Sequence, residues 1–224
     1  FTDEMEEAAI HALRNESFVG GESVSKFEEE FAKYIGTKYA VAVSSGNSAL
    51  QISLMALGLS SEGFEISKSD KIITPTNSFI ASANCIRMSN AYPLLADVNM
   101  EDGGIDMDNR KKTYAGFTWE DATGVIPVHI YGNPCDFDSV QAKAEEQKIP
   151  IIEDACQAHG AIYKNKKVGS ISDVGCFSFY PTKNMTVGGD GGMTTMENEE
   201  TALRIKSIFS IISIWYLLSH FPVL

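Results

Sequence analysis

The chain has 224 residues, 44% of them hydrophobic, enough for one substantial domain with its own core. Lys and Arg number 18 against 30 Asp and Glu, a formal net charge of -12. That balance argues against a nucleic-acid binder, because phosphate contacts need a basic face and a basic cluster such as residues 164–167 is too short to form one.

The four cysteines, Cys85, Cys135, Cys156 and Cys176, form neither a CxxC pair nor zinc-ligand spacing, so they read as reduced core residues of a cytoplasmic protein and no metal site is expected. No signal peptide opens the chain, and its first residue is Phe1 rather than Met, so the natural start is expected upstream. Residues 2–15 read as an acidic helix, followed by a Gly20-Gly21 break. A second helix is clearer: Val24, Phe27, Phe31, Tyr34 and Ile35 recur at helical spacing, with Glu28, Glu29 and Lys33 on the other face, and Gly36 ends it. Residues 39–43 are a short apolar strand, and Ser-Ser-Gly-Asn-Ser at 44–48 turns into a helix with Leu50, Leu54 and Leu57 on its apolar face. Strand, small polar turn, helix aims unpaired backbone N–H groups at an anion, though α/β proteins contain several such turns.

Beyond a variable polar loop, residues 71–75 form the next strand, which Pro75 stops; Ser78 is placed to cap a helix with Phe79 in its first turn. Phe79 then faces the crevice outside the strand ends, and an ordinary core position is the competing reading. Residues 92–98 and 124–130 are further strands, the second ending in the turn Tyr131-Gly132-Asn133-Pro134. Asp136 and Asp138 begin the next helix, with Gln141 three residues after Asp138 as a capping-box match. His129 reads as a satisfied histidine near a strand end rather than a ligand or base. The apolar run at 149–152 delivers Asp154 at the carboxyl end of a strand, where α/β enzymes put chemistry; a helix N-cap is the other role open to it.

The stretch from Gly175 to Gly192 organises the rest. An apolar, aromatic strand at 174–179 breaks at Pro181 and presents Lys183 before a run of glycines that suits a tightly folded loop. Held against apolar walls, an ammonium loses hydration, its pKa falls, and the free amine becomes a nucleophile able to form a Schiff base. A solvated lysine at a strand end is the bland alternative. Residues 193–196 pair back after the glycines, and a helix from near Asn198 carries Ala202, Leu203 and Ile205 until its pattern breaks at Ile208. Residues 208–224 are nearly all apolar yet hold His220 and Pro222. Three readings are open: a short membrane anchor, a helix for a partner surface, or a non-native tail from a frameshift or misread intron. The last is preferred, since nothing in the tail is amphipathic. Strands and helices alternate, which gives an α/β fold: a mostly parallel sheet with helices on both faces.

Ser-Phe-Tyr-Pro-Thr-Lys-Asn at 178–184, followed by Gly189-Asp190-Gly191-Gly192, resembles the cofactor-lysine signature of the DegT/DnrJ-type nucleotide-sugar aminotransferases, which use pyridoxal 5'-phosphate. The Ser-Gly turn at 45–46, the aromatic at 79 and Asp154-Ala155-Cys156-Gln157 follow the family's order, so the resemblance covers residues 2 to about 207. It implies the large cofactor-binding domain of fold-type I aminotransferases over residues 1–207, an apolar tail at 208–224, and the small C-terminal domain absent. It also implies roles. Lys183 holds the cofactor through a Schiff base, Asp154 meets the ring nitrogen, Gln157 lies near the ring hydroxyl, and Phe79 stacks on the ring. Amides at Gly46 and Asn47, with the Ser178 hydroxyl, anchor the phosphate. Asn47 departs from the family's usual threonine, which removes a hydroxyl contact and leaves the amide. His159 and Gly160 complete the pattern with no assigned step.

The implied function is transfer of an amino group from a donor such as glutamate to a keto sugar linked to a nucleotide, in polysaccharide biosynthesis, by a cytoplasmic enzyme whose full-length form is a homodimer. No nucleic acid is expected as partner, and no membrane unless the tail is an anchor. The family's dehydratase branch replaces the lysine with histidine, so Lys183 disfavours it. The alternative function is a catalytically silent truncated homologue acting only by binding or subunit contact. A cofactor-free Schiff-base aldolase would leave Asp154 and the turn at 46–48 without purpose.

Overall fold

The computed structural model of the chain describes residues 2–17, 19–60, 70–107 and 118–220, the last ten of them as backbone only. The Thr2 hydroxyl accepts the Met5 N–H and starts α1 (Asp3–Asn15), an acidic helix that buries none of its residues. α2 (Glu22–Ile35) closes on Gly36 in the left-handed region, φ 95°. Its expected apolar face divides: Phe31 and Ile35 are buried, whereas Val24 and Tyr34 stay 41% and 50% exposed, because only part of the helix face rests on the sheet.

The strands are β1 (Tyr39–Val43), β2 (Lys71–Pro75), β3 (Tyr92–Ala96), β4 (Gly124–Val125), β5 (Ile152–Asp154), a small hairpin of β6 (Ile162–Tyr163) and β7 (Lys166–Lys167), then β8 (Val174–Ser178) and β9 (Gly192–Met196). β4 is shorter than the expected 124–130 because Pro127 brings no N–H to the ladder, and Ile130–Gly132 coil into a 3-10 turn. β3, β2 and β4 pair in parallel, as do β5 and β8, while β9 runs antiparallel between β8 and β1. Parallel bridges Val125–Ile151 and Val128–Asp154 seat β4 beside β5. A mostly parallel sheet results, with β9 reversed as the sequence after the glycines implied.

The remaining helices are α3 (Gly46–Ala56), α4 (Ala81–Met88), α5 (Phe137–Gln147) and α6 (Glu199–His220). Alternation along β8 assigns the two faces of the sheet. Val174 and Cys176 join Leu50, Leu54 and Ile205 in the core beneath α3 and α6; Phe177 and Phe179 join Phe31 and Ile35 in the core beneath α2. A third cluster packs Phe137 and Val140 of α5 on Ile73, Leu94 and Val125. Each such large apolar side chain withdrawn from water contributes about 1.5–3 kcal/mol.

Three local expectations are corrected. α4 begins at Ala81 rather than beside Ser78, whose hydroxyl donates to the Pro75 and Phe79 carbonyls, since the chain must first turn away from the end of β2. α5 is capped by Asp136, which accepts from the Ser139 N–H and hydroxyl; Gln141 instead donates to Glu145, and Asp138 pairs with Lys164, so no box forms between 138 and 141. α6 passes through Ile208 without a break, Ile208 and Phe209 packing at the core's margin, because extending a helix that is already nucleated adds a backbone hydrogen bond per residue and needs no amphipathic pattern. Among the described residues no helix is long and apolar enough to cross a membrane. The tail's last residues, 221–224, and most of the polar loop before Lys71 lie outside the described residues.

Candidate active site

The alternation that sends Cys176 toward α3 also sends Ser178 there, to the N-terminus of the helix. Ser45 caps that helix, its hydroxyl accepting the Ser48 N–H at 3.0 Å. A Cβ on Gly46 would stand 2.6 Å from the Ser178 Cβ and 2.9 Å from the Cys156 Sγ; one on Gly192 would stand 2.3 Å from the Ser45 carbonyl oxygen. The missing side chains therefore let the helix N-terminus, the end of β8 and the loop after β5 meet, with open backbone amides facing the crevice at the strand ends.

These segments wall a cavity of about 470 Å³ that Gly46, Asn47, Phe79, Asp154, Gln157, Ser178 and Lys183 all line. Every residue singled out for the site in the sequence faces this one space. Asp154 is buried. Its Oδ2 accepts the Ser82 hydroxyl at 2.6 Å and its Oδ1 accepts the Cys156 N–H at 3.2 Å. No helix follows Asp154, so the N-cap reading falls; the Cys156 contact is a local turn made by the carboxylate on its own backbone. The Gln157 Oε1 accepts the N–H of Tyr131, a residue held in the left-handed region at φ 55°.

Phe79 precedes α4 rather than sitting in its first turn, and at 65% exposure it is not core. Its ring centroid lies 5.9 Å from the Lys183 Nζ. Lys183 itself is half-buried, with Pro181 and Thr182 exposed beside it, so the expected enclosure by apolar walls is absent; a tight turn, its N–H donating to the Tyr180 carbonyl at 2.8 Å, aims it instead. His129 is satisfied as expected, fully buried against Glu153 at 3.1 Å. Cys85, Cys135 and Cys176 are free and buried, whereas Cys156 lines the cavity. Burial first, and the Asp154 charge second, push the Cys85 and Cys156 thiols well above their ordinary range and keep them protonated.

The sequence reading passed over Ser82, Tyr180 and Thr182. The last two line the cavity simply by following β8. Ser82 left no local signal, since the partner that gives it a role, Asp154, lies 72 residues away.

Residues 1–212 match the DegT/DnrJ/EryC1/StrS aminotransferase family. The chain is 32% identical over 206 residues to the UDP-2-acetamido-2-deoxy-3-oxo-D-glucuronate aminotransferase of Pseudomonas aeruginosa, an alignment that covers 92% of this chain and 54% of that one. Among solved structures it resembles the aminotransferase from Psychrobacter cryohalolentis, with a TM-score of 0.83 and 33% identity over 92% of this chain and 50% of that one. It also resembles NtdA of Bacillus subtilis, solved with its cofactor PMP bound, with a TM-score of 0.76 and 31% identity over 92% and 45% of the two chains. The chain spans about half the length of the relatives it matches. A sequence match across nearly all of its residues, joined to the shared fold, means that the chain belongs to the DegT/DnrJ/EryC1/StrS aminotransferase family.

Proposed function

We propose that this chain carries the cofactor-binding part of an aminotransferase that uses pyridoxal 5'-phosphate to move an amino group from a donor such as glutamate onto a nucleotide-linked keto sugar. The observation that carries the reading is the pairing, across one cavity, of an amine at Lys183 with a buried carboxylate at Asp154. The donor set fits the cofactor. The cradle left open at Gly46, beside the Ser178 hydroxyl and the amides at Gly46 and Asn47, suits a phosphate, and Phe79 offers an aromatic face. Pyridoxal phosphate, when bound, supplies a carbonyl that condenses with amines and a ring that accepts electrons.

The protein's share is positioning and proton handling. The buried Asp154 carboxyl would face the ring nitrogen and hold its proton through a hydrogen bond. The Lys183 Nζ would hold the cofactor, and as a free amine it could accept or donate a proton within the cavity. Gln157, fixed by the Tyr131 N–H, sets one edge of the site. In this reading residues 1–207 form the large, cofactor-binding domain, and the enzyme is a cytoplasmic homodimer of polysaccharide biosynthesis. Support for a second subunit comes from exposed aromatic surface at the site: Phe79 and Tyr180, which line the cavity, and Tyr131, beside Gln157 and Lys183, are 51–85% exposed. The catalytically silent alternative has no observation in its favour.

The test is direct. Purified chain mixed with pyridoxal 5'-phosphate should develop a visible absorbance band, and borohydride reduction should fix the added mass to the peptide holding Lys183. Lys183→Ala should show neither. Folded wild-type protein that stays colourless and unlabelled overturns the proposal.

A further inference from the structure

We infer that Ser82 is a positioning residue for the cofactor's ring nitrogen, acting through Asp154; the inference rests on the pyridoxal phosphate reading above. Ser82 is 1% exposed, and its hydroxyl donates to the Asp154 Oδ2 at 2.6 Å across 72 residues of sequence. The hydroxyl is the donor, and an O–H to a carboxyl oxygen at this distance is among the shorter and stronger hydrogen bonds. Among the described residues no cation pairs with Asp154. Its two oxygens are held by two donors, Ser82 on one and the Cys156 N–H on the other, which pins the carboxyl plane and leaves its remaining lone pairs for the cavity.

Ser82 also ties this carboxylate to the stacking face. Its own N–H donates to the Phe79 carbonyl at 3.1 Å, so the turn that opens α4 sets both the Phe79 ring and the Asp154 edge. A buried hydroxyl costs free energy to dehydrate, and Asp154 is the partner that offsets it here. Without the hydroxyl, the Oδ2 would lack a donor in a buried site, and Asp154 would be free to turn from its place, which weakens its hold on the ring nitrogen.

The experiment titrates the 224-residue chain with pyridoxal 5'-phosphate and follows the visible band across pH. Ser82→Ala should bind roughly five- to tenfold more weakly and shift the pH midpoint of the band, while Ser82→Thr, which keeps the hydroxyl, restores both. In an Asp154→Asn background the Ser82→Ala change should add no further weakening, because its effect runs through that carboxylate. Additive losses in this cycle, or a folded Ser82→Ala protein with unchanged affinity and midpoint, overturn the assignment and leave the functional reading standing. Should Ser82→Ala fail to fold, Ser82→Cys replaces it: a weak thiol donor should give an intermediate loss, and wild-type behaviour overturns the inference. A wild-type chain that takes up no cofactor overturns the functional reading and this inference with it.

Discussion

The Glu153 carboxylate and the His129 imidazole meet at 3.1 Å with neither side chain exposed to solvent. The His129 Nδ1 accepts the Cys135 N–H, so the ring proton sits on Nε2 and is donated to Glu153. Glu153 also accepts the Gly169 and Ile171 N–H groups and the Ser172 hydroxyl, so both of its oxygens are fully engaged. One buried acid thereby fixes the turn after β4, the loop before β8 and, through its neighbour, the position of Asp154.

Replacing Glu153 with Gln turns one of those acceptors into a donor that faces other donors. The expected cost is about 2–4 kcal/mol of folding stability, read as a lower midpoint in urea denaturation. A change below about 0.5 kcal/mol would show that the network does not hold this corner of the sheet.

Much of this arrangement was legible in the sequence, for reasons that particular residues make plain. Apolar runs bounded by Gly and Pro marked the strands, and the order of the Ser-Gly turn, Phe79, Asp154 and Lys183, through its resemblance to the family pattern, pointed to residues that line one cavity. What was not legible depends on distant partners. Asp138 and Gln141 have cap-like spacing, yet Lys164 and Glu145 claim them. Ser82 finds Asp154 only once α4 is laid over β5. Lys183 stands beside one ring and open solvent rather than between apolar walls, which no spacing in its own strand reveals.

Gly192→Ala tests the close approach of β9 to the turn before α3. The added Cβ would meet the Ser45 carbonyl oxygen at 2.3 Å and the Gly46 nitrogen at 2.9 Å, both backbone atoms that cannot swing aside. Stability should fall by about 1–3 kcal/mol, and the displaced amides should weaken binding of pyridoxal 5'-phosphate or of inorganic phosphate. Thermal melting and fluorescence titration read the two effects, and wild-type values in both would contradict the packing.

Phe79→Ala should separate binding from folding. A side chain 65% exposed contributes little to the core, so the melting temperature should stay close to that of the wild type. Cofactor affinity should fall by about 1 kcal/mol, roughly fivefold, through loss of the ring face, and Phe79→Tyr should recover it. An Ala variant that binds as well as wild type would remove Phe79 from the site.

His159 predicts the pH dependence of stability. Its ring lies 5.4 Å from that of Phe177 and 5.7 Å from that of Phe179, and burial, with the Lys183 charge second, lowers its pKa to about 4 from an ordinary 6.5. The unfolded chain therefore takes up a proton on this side chain at a higher pH than the folded chain does. Stability from this source is complete above pH 6.5 and is lost as pH falls toward 4. With the shift discounted for partial exposure, the loss is about 1–2 kcal/mol. His159→Gln has no group to titrate there, so its stability, measured by urea denaturation at steps across this range, should decline less steeply than that of the wild type. Parallel curves for the two proteins would mean that the folded chain admits the proton as readily as the unfolded one, and that His159 is not held neutral between the rings.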